Sequence, residues 1–521
     1  MNSSRVICFL LLPDELLQLC LEACSKSDRA ALRLVCKRLK QVCDSSPAIC
    51  TRLNANPDSA AGRDPAALLR LAGLPFAAAE VDVAIPEALE AARQLTALTA
   101  LSLESSEHKH GTPPGWAEGT SFGAALARSA FSLAALKRLQ QLQVTAGNLQ
   151  PVTCDQLSAL TSLQQLTIGT FPERLPGQLW ASLARMPQLA DLVLGVQTQE
   201  DAQCVIPAAA WAALRACTAL SYLHIRHEYM EGDERGFFRL EPGIARLTSL
   251  RTLRLEGSFS AHGDLWRHPT VSCLLLDDAL GEDIPMPGGN EVHMPALRHL
   301  GLLSECAPLA PAPPQITCLS GLTSLKLWSC DEYIEVHPQD PLWQLPHLAS
   351  LDVSYCNLDG AIPQGILQLT TLKALNLAGN NLHGLPDGPY LASLSMLVLR
   401  CNPLTRLPPA LCSATQLEVL DLSSSYDPSP SLQLELGDLA LLQQMRALRA
   451  LCVPASAANL QLGALFSTWL ARLVTIEPAG LRDMMLGEWD GGLDEEAYLW
   501  WREQVQRRRS HACSRVLQAL L

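Results

Sequence analysis

The residues best suited to chemistry lie in the run His224, Ile225, Arg226, His227, Glu228, where two imidazoles and a carboxylate fall within five positions. A zinc hydrolase needs the order H-E-x-x-H, which sets two ligands and a base on one helix face. Here the order differs, and the surrounding LSYLHIRH alternates like a strand, so that face is not expected to form. Eighteen cysteines offer further ligands or nucleophiles, yet none sits in a C-x-x-C pair. Cys20 and Cys24, four apart on an expected helix, read as buried fillers. No phosphate-cradling G-x-x-x-x-G-K-[ST] loop, dinucleotide G-x-G-x-x-G turn or G-x-S-x-G elbow occurs. The chain is therefore expected to be no enzyme, with no catalytic residue, no cofactor and no metal site.

Binding is the chemistry that the residues do offer. Tyr222, His224, Arg226, Arg254, Lys326 and Trp328 each alternate with leucine or isoleucine, a phase that leaves them on the opposite face of a strand from the core. Thr252, Glu256, Asp277, His299, Asp352 and Arg400 share that phase. Exposed aromatic and arginine side chains are the composition of binding hot spots. The chain as a whole is acidic, with 39 Lys and Arg against 52 Asp and Glu and a net charge of −13, so a nucleic-acid partner is not expected. A basic, aromatic patch on an acidic protein suits an acidic or phosphorylated protein segment. Alternatively the charges satisfy each other across strands, as Arg226 with Glu256 would.

A repeated element must position these residues. The pattern L-x-x-L-x-x-L-x-[LVI] recurs as LTALTALSL from Leu95, LTSLQQLTI from Leu160, LTSLRTLRL from Leu247, LPHLASLDV from Leu345 and LTTLKALNL from Leu369. Aligned on one apolar position, the copies give Leu101, Leu142, Leu166, Leu192, Leu223, Leu253, Leu274, Leu300, Leu325, Leu351, Leu375, Leu397, Leu420 and Leu451. Between Leu253 and Leu420 the steps run from 21 to 26 residues, while the earlier ones reach 41 and must hold insertions. This resembles the leucine-rich repeat, whose period is ~20–29 residues. One short strand and its return segment cannot bury their apolar residues alone, and stacking the units does it for them. The resemblance implies an α/β solenoid, a horseshoe with parallel strands on its concave face. Cys330, Cys356, Asn380 and Asn402 fall where the repeat calls for Asn or Cys, a side chain that serves backbone groups as the chain leaves the sheet. The stretch from Leu358 to Pro386, with its G-x-I-P step, resembles the plant or green-algal variant of the repeat. Gly- and Pro-rich stretches at Glu104 to Gly123, Arg226 to Pro242, Asp277 to Pro295 and Ser304 to Gln315 read as irregular loops grown from one edge.

The first fifty residues depart from the repeat. Leu11 to Ser46 reads as three short helices, the first opening at Pro13 with Asp14 and Glu15 in its first turn. The order Leu12, Pro13, Glu15, Leu16, Leu17, Leu19, then Leu32, Leu34 and the run Val35, Cys36, Lys37, Arg38, resembles the F-box. In that family a large aromatic often follows the basic pair, and here Leu39 stands in its place. The F-box docks onto the Skp-family adaptor of a cullin ubiquitin ligase, and the resemblance assigns adaptor contact to Leu12, Pro13, Leu16, Val35 and Leu39. The expected organisation is an F-box-like helical domain over residues 1–48, a helical linker or N-terminal cap over 49–94 in which Val81 and Val83 form a degenerate strand, about 14–15 repeats over 95–476, and a C-terminal helical cap or tail over 477–521.

These expectations combine into a substrate-recognition subunit of a Skp, cullin and F-box ubiquitin ligase, with an interaction scaffold of the ciliary axoneme or cytoskeleton as the alternative. The apolar run Val6 to Leu12 ends in Pro13, Asp14 and Glu15 without a cleavage site, so no secretory leader is expected. No stretch approaches the ~18 apolar residues of a spanning helix, so no membrane partner is expected. The expected location is cytoplasmic or nuclear, or the cilium under the alternative.

Overall fold

In the computed structural model the described residues are 52–55, 78–82, 92, 95, 97–104, 133–144, 156–172, 177–197, 203–227, 237–257, 259–278, 292–304, 314–329, 341–422, 432, 436–452 and 474–475. The chain forms two compact units, Met1–Leu250 and Arg251–Leu521.

In the first unit, seven strands run parallel, each paired with the next: Arg52–Ala55, Ala78–Asp82, Ala100–Glu104, Gln141–Val144, Gln165–Pro172, Asp191–Gln197 and Tyr222–His227. Leu53, Ala79, Leu101, Leu142, Leu166, Leu192 and Leu223 stand in one row across them. In the second unit ten strands do the same: Thr252–Glu256, Cys273–Asp278, His299–Ser304, Ser324–Ser329, Ser350–Asp352, Ala374–Asn376, Met396–Val398, Val419–Asp421, Ala450–Cys452 and Val474–Thr475. Their row is Leu253, Leu274, Leu300, Leu325, Leu351, Leu375, Leu397, Leu420, Leu451 and Thr475. All fourteen leucines aligned from the sequence are buried in these two rows. The fold of each unit is thus the leucine-rich repeat.

The spacing of three in L-x-x-L has a direct structural cause. The Leu369 N–H donates to the Ile366 carbonyl at 3.0 Å and the Leu372 N–H to the Leu369 carbonyl at 3.2 Å. Leu136 and Leu139 repeat this on Leu133 and Leu136 at 2.9 and 3.0 Å. Bonds from i+3 back to i eclipse side chains three apart, so successive leucines enter the core from one side before the strand begins. The return segments are accordingly 3-10 turns such as Gln364–Gln368 and Pro409–Ser413, or short α-helices such as Gly177–Leu183 and Ala208–Leu214.

Three sequence expectations change. The segment expected as a helical linker carries the strands Arg52–Ala55 and Ala78–Asp82, and in the second of these Ala79 and Val81 face the core, one step earlier than Val81 and Val83. The stretch from Arg226 to Pro242, read as irregular, contains the strand Phe237–Leu240, which pairs in parallel with Gln203–Ile206 and buries Phe238 and Leu240. Ser350, Asp352 and Ser354 lie on the outer face of their strand as the alternation requires, yet all three are buried.

The column residues behave as structural elements. Asn380 donates from Nδ2 to the carbonyls of Val353 and Leu377, each at 2.9 Å, and of Ala378 at 3.3 Å. Its Oδ1 accepts from the N–H groups of Cys356 at 3.1 Å and Leu358 at 3.0 Å. Asn402 repeats the arrangement one turn on, to the carbonyls of Leu377 at 2.8 Å and Leu399 at 3.0 Å, and accepts from the Leu382 N–H at 3.0 Å. The Cys356 thiol, buried, lies 3.4 Å from the carbonyls of Leu327 and Ser354. Cys330 is outside the described residues. The segment from Leu358 to Pro386 adds a second parallel pair, Asp359–Ala361 with Asn381–Gly384, in which Gly360 takes the left-handed region, φ 67°.

Candidate partner-binding face

Side chains that alternate with the buried row stand on the outer face of each sheet, with neighbouring strands ~4.8 Å apart. In the first unit this face is polar. Gln141, Gln143 and Gln165 are exposed, and the Gln165 amide donates to the Asp191 carboxylate at 2.7 Å across adjacent strands. Its last strand carries Tyr222, His224 and Arg226, the first three residues of the expected patch. The Tyr222 and His224 rings meet edge to face, with centroids 6.5 Å apart and planes at 81°. Tyr222 and Arg226 are half-buried and His224 is buried. His224 lies within a strand, so the HIRHE run does not form a helical ligand face. Among the described residues no three His, Cys, Asp or Glu side chains are grouped to hold a metal ion.

In the second unit one row reads Arg254, Leu275, Gly301, Lys326, Asp352, Asn376, Val398 and Asp421 in register. Both expected cations of this unit already face carboxylates. Arg254 Nη2 lies 3.2 Å from Glu256 Oε2, two residues along the same strand. Lys326 is the strand neighbour of Asp352. Burial pushes the Asp352 carboxyl up, and the Lys326 charge, the Ser354 hydrogen bonds and the Asn376 side chain pull it back. The Ser354 N–H donates to Asp352 Oδ1 at 3.0 Å. An incoming anion at this face would therefore compete with two resident carboxylates. Trp328 pairs with Leu303 in the strand register.

Sequence reasoning overlooked the apolar part of this face. Leu275 sits between Leu274 and Leu276, so the three-leucine run hides the alternation, and only the register shows that Leu275 points away from the core. It lies over Gly301, where a Cβ would come within 2.4 Å of Leu275 Cδ2. The glycine makes room for a leucine on the outer face.

The five residues expected to touch an adaptor, Leu12, Pro13, Leu16, Val35 and Leu39, lie outside the described residues. Their segment is identified by comparison: residues 9–50 match the family model of the F-box domain. No curated protein matches the chain. Among solved structures the chain is similar to a leucine-rich-repeat protein of Leptospira interrogans, at 18% identity over 75% of this chain and 86% of that one, with a TM-score of 0.46. It is also similar to the Toll–Spatzle complex of Drosophila, at 15% identity over 77% and 60%, TM-score 0.44. A third is the LRR ectodomain of a plant membrane receptor kinase from Arabidopsis thaliana, at 19% identity over 74% and 54%, TM-score 0.32. These likenesses are distant, and the repeat fold rests on the strand ladders themselves. The chain joins an F-box domain to leucine-rich repeats.

Proposed function

We propose that this chain is a non-catalytic substrate-recognition subunit of a Skp, cullin and F-box ubiquitin ligase. The observation that supports it is the F-box match at residues 9–50 directly ahead of a repeat array that begins at Arg52. The F-box segment grips a Skp-family adaptor through Leu12, Pro13, Leu16, Val35 and Leu39, and the adaptor carries the cullin. The outer faces of the strands hold a protein substrate through Tyr222, His224 and Arg226 in one unit and Arg254, Lys326 and Trp328 in the other. Such a subunit accelerates ubiquitin transfer by holding the acceptor protein near the loaded enzyme, so no side chain of this chain takes part in bond making. The reading carries a cytoplasmic or nuclear location with it. No helix among the described residues is long and apolar enough to cross a membrane.

Affinity purification of the whole chain, with and without residues 1–48, tests this reading. The whole chain should retain adaptor and cullin, and the shortened one should lose both while keeping the thermal transition of the repeats. Retention of both after the deletion, or their absence from the whole chain, would leave an interaction scaffold without ligase coupling, such as one of the axoneme, as the function.

A further inference from the structure

The residue that leads into each strand of the second unit belongs to a row of its own. Arg251, Ser272, Arg298, Thr323, Ala349, Lys373, Ser395, Glu418 and Arg449 follow one another there, and each N–H donates to the carbonyl of the residue before it in the row at 2.7–2.8 Å. Arg251, Arg298, Lys373 and Arg449 stand against the single carboxylate of Glu418, whereas the whole chain carries 39 Lys and Arg against 52 Asp and Glu. The corresponding row of the first unit, Thr99, Gln140, Gln164, Ala190 and Ser221, has the same backbone ladder and no charge. Stacking of the repeats therefore does not require a cation at this position, and the cations of the second unit call for another reason.

All four cations are exposed, and their surroundings differ from those of Arg254 and Lys326 on the outer face. Arg449 Nε lies 3.5 Å from Glu418 Oε2, so that end of the row is neutralised. Arg298 is held by neutral groups instead: its Nη1 donates to the carbonyls of Pro295 at 3.1 Å and Leu297 at 2.9 Å, and Gly321, having no Cβ, leaves room for the guanidinium. Arg251 Nη1 donates to the Thr270 carbonyl at 3.4 Å. Among the described residues neither Arg298 nor Lys373 has a carboxylate partner.

Hydroxyls interleave the cations, and each is already committed as a donor. Ser272 Oγ donates to the Arg251 carbonyl at 3.2 Å, Thr323 Oγ1 to that of Arg298 at 3.1 Å and Ser395 Oγ to that of Lys373 at 3.0 Å. A hydroxyl has one proton, so these oxygens can only accept from a ligand. Cations separated by acceptors suit a ligand in which anions alternate with N–H donors, as they do in an acidic polypeptide. A phosphate backbone brings acceptors alone and would set oxygen against oxygen between the cations. The net charge of −13 also repels a long polyanion.

Strands ~4.8 Å apart place Arg251 and Arg298 two strands or ~10 Å from each other, and Arg298 and Lys373 three strands or ~14 Å. An extended chain advances ~3.3 Å per residue, so carboxylates about three and then about four residues apart meet all three cations. We infer that this strand-entry edge of the second unit binds an extended acidic segment of a protein partner. Its Asp or Glu side chains pair with Arg251, Arg298 and Lys373, and its backbone N–H groups donate to Ser272, Thr323 and Ser395. The edge thus supplies the anion site that the resident carboxylates of the outer face make difficult there. The inference rests on reading the repeats as the partner-holding part of the chain, and not on the F-box.

A fluorescent peptide of glycine and serine with glutamate at its first, fourth and eighth positions tests this by anisotropy, titrated into the intact chain with no adaptor present. The expected result is saturable binding that weakens as salt is raised, and that is about tenfold weaker for a peptide whose three glutamates are adjacent. Arg298→Glu combined with Lys373→Glu should weaken binding of the spaced peptide at least tenfold. A peptide with lysine in place of each glutamate should bind that variant more tightly than it binds the parent, a rescue that an unfolded surface could not give. Absence of saturable binding by the parent, equal affinity of parent and variant, or equal affinity for the spaced and adjacent glutamates would overturn the inference. So would tighter binding of an oligouridine of the same length, which would assign the edge to nucleic acid. Adaptor retention is measured separately, so the ligase reading stands or falls apart from this result.

Discussion

Asn380 accepts from the backbone N–H of Cys356 at 3.1 Å, so a side chain of one repeat completes the turn of the repeat before it. The same amide group donates backward to Val353 and to its own turn at Leu377. Because the residue is buried, none of these groups can exchange its partner for water. Replacing Asn380 with Ala should leave the N–H groups of Cys356 and Leu358 and the Val353 carbonyl without these partners, while Leu377 keeps Asn402 and Ala378 keeps the Tyr355 N–H, and should cost about 2–5 kcal/mol. Urea denaturation at neutral pH checks this. The exposed Gln364→Ala should stay within about 0.5 kcal/mol of the parent.

The two faces of the sheet, probed on the neighbouring strands Ser350–Asp352 and Ala374–Asn376, should respond alike in sign but not in size. Leu375→Asp puts a charge between stacked repeats and should cost several kcal/mol, about 3–5. Ser350, on the outer face, is 8% exposed and so should not be silent either: Ser350→Asp is expected to cost about 1–3 kcal/mol. A melting series of both variants decides this, and a Ser350→Asp protein as stable as the parent would contradict the burial of Ser350.

The Cys217 thiol gives the first unit a pH signature. It is buried and lies 3.1 Å from the Leu183 carbonyl, and desolvation raises its pKa from 9.0 to about 11. Between those values the unfolded chain releases this proton and the folded chain keeps it. The group's contribution to stability is thus whole below pH 9 and declines as pH rises toward 11. Cys217→Ala should be less stable than the parent at pH 8, with a gap that narrows by about 2–3 kcal/mol by pH 11. Denaturation curves of the two proteins across that range measure the gap. In the same unlabelled protein, the exposed Cys318 and Cys412 should alkylate readily while buried Cys356, whose thiol is held protonated by burial and by Asp352, stays unmodified.

Arg254→Ala combined with Trp328→Ala should remove the captured substrate from pull-downs. Because Arg254 already faces Glu256 on a partly exposed surface, losing that pair should change stability by no more than about 1 kcal/mol. A substrate that binds the double variant as well as the parent would move recognition off this row and onto the loops between strands.

The parts of this fold legible in the sequence were those that a repeated leucine specifies. Leu101 through Leu451 could be aligned because each occupies the same buried place and nothing smaller fills it. Where Ala79 stands in that row, the small side chain erased the signal, and the preceding strand with Leu53 went with it. The outer face was legible in phase but not in burial. Alternation alone puts Tyr222, His224, Arg254 and Lys326 there, but whether a side chain meets water, a neighbouring carboxylate or an apolar neighbour depends on residues far off in sequence. Lys326 beside Asp352 and Met396 buried with Val398 and Val419 are both of that kind.

The central claim is that the F-box of this chain works. Titration calorimetry of a purified Skp-family adaptor into the intact chain measures it most directly. The account predicts saturable one-to-one binding that is lost when Leu16 and Val35 are both changed to Asp, with the thermal transition of the repeats unmoved. An adaptor that binds neither protein, or binds both equally, would contradict it.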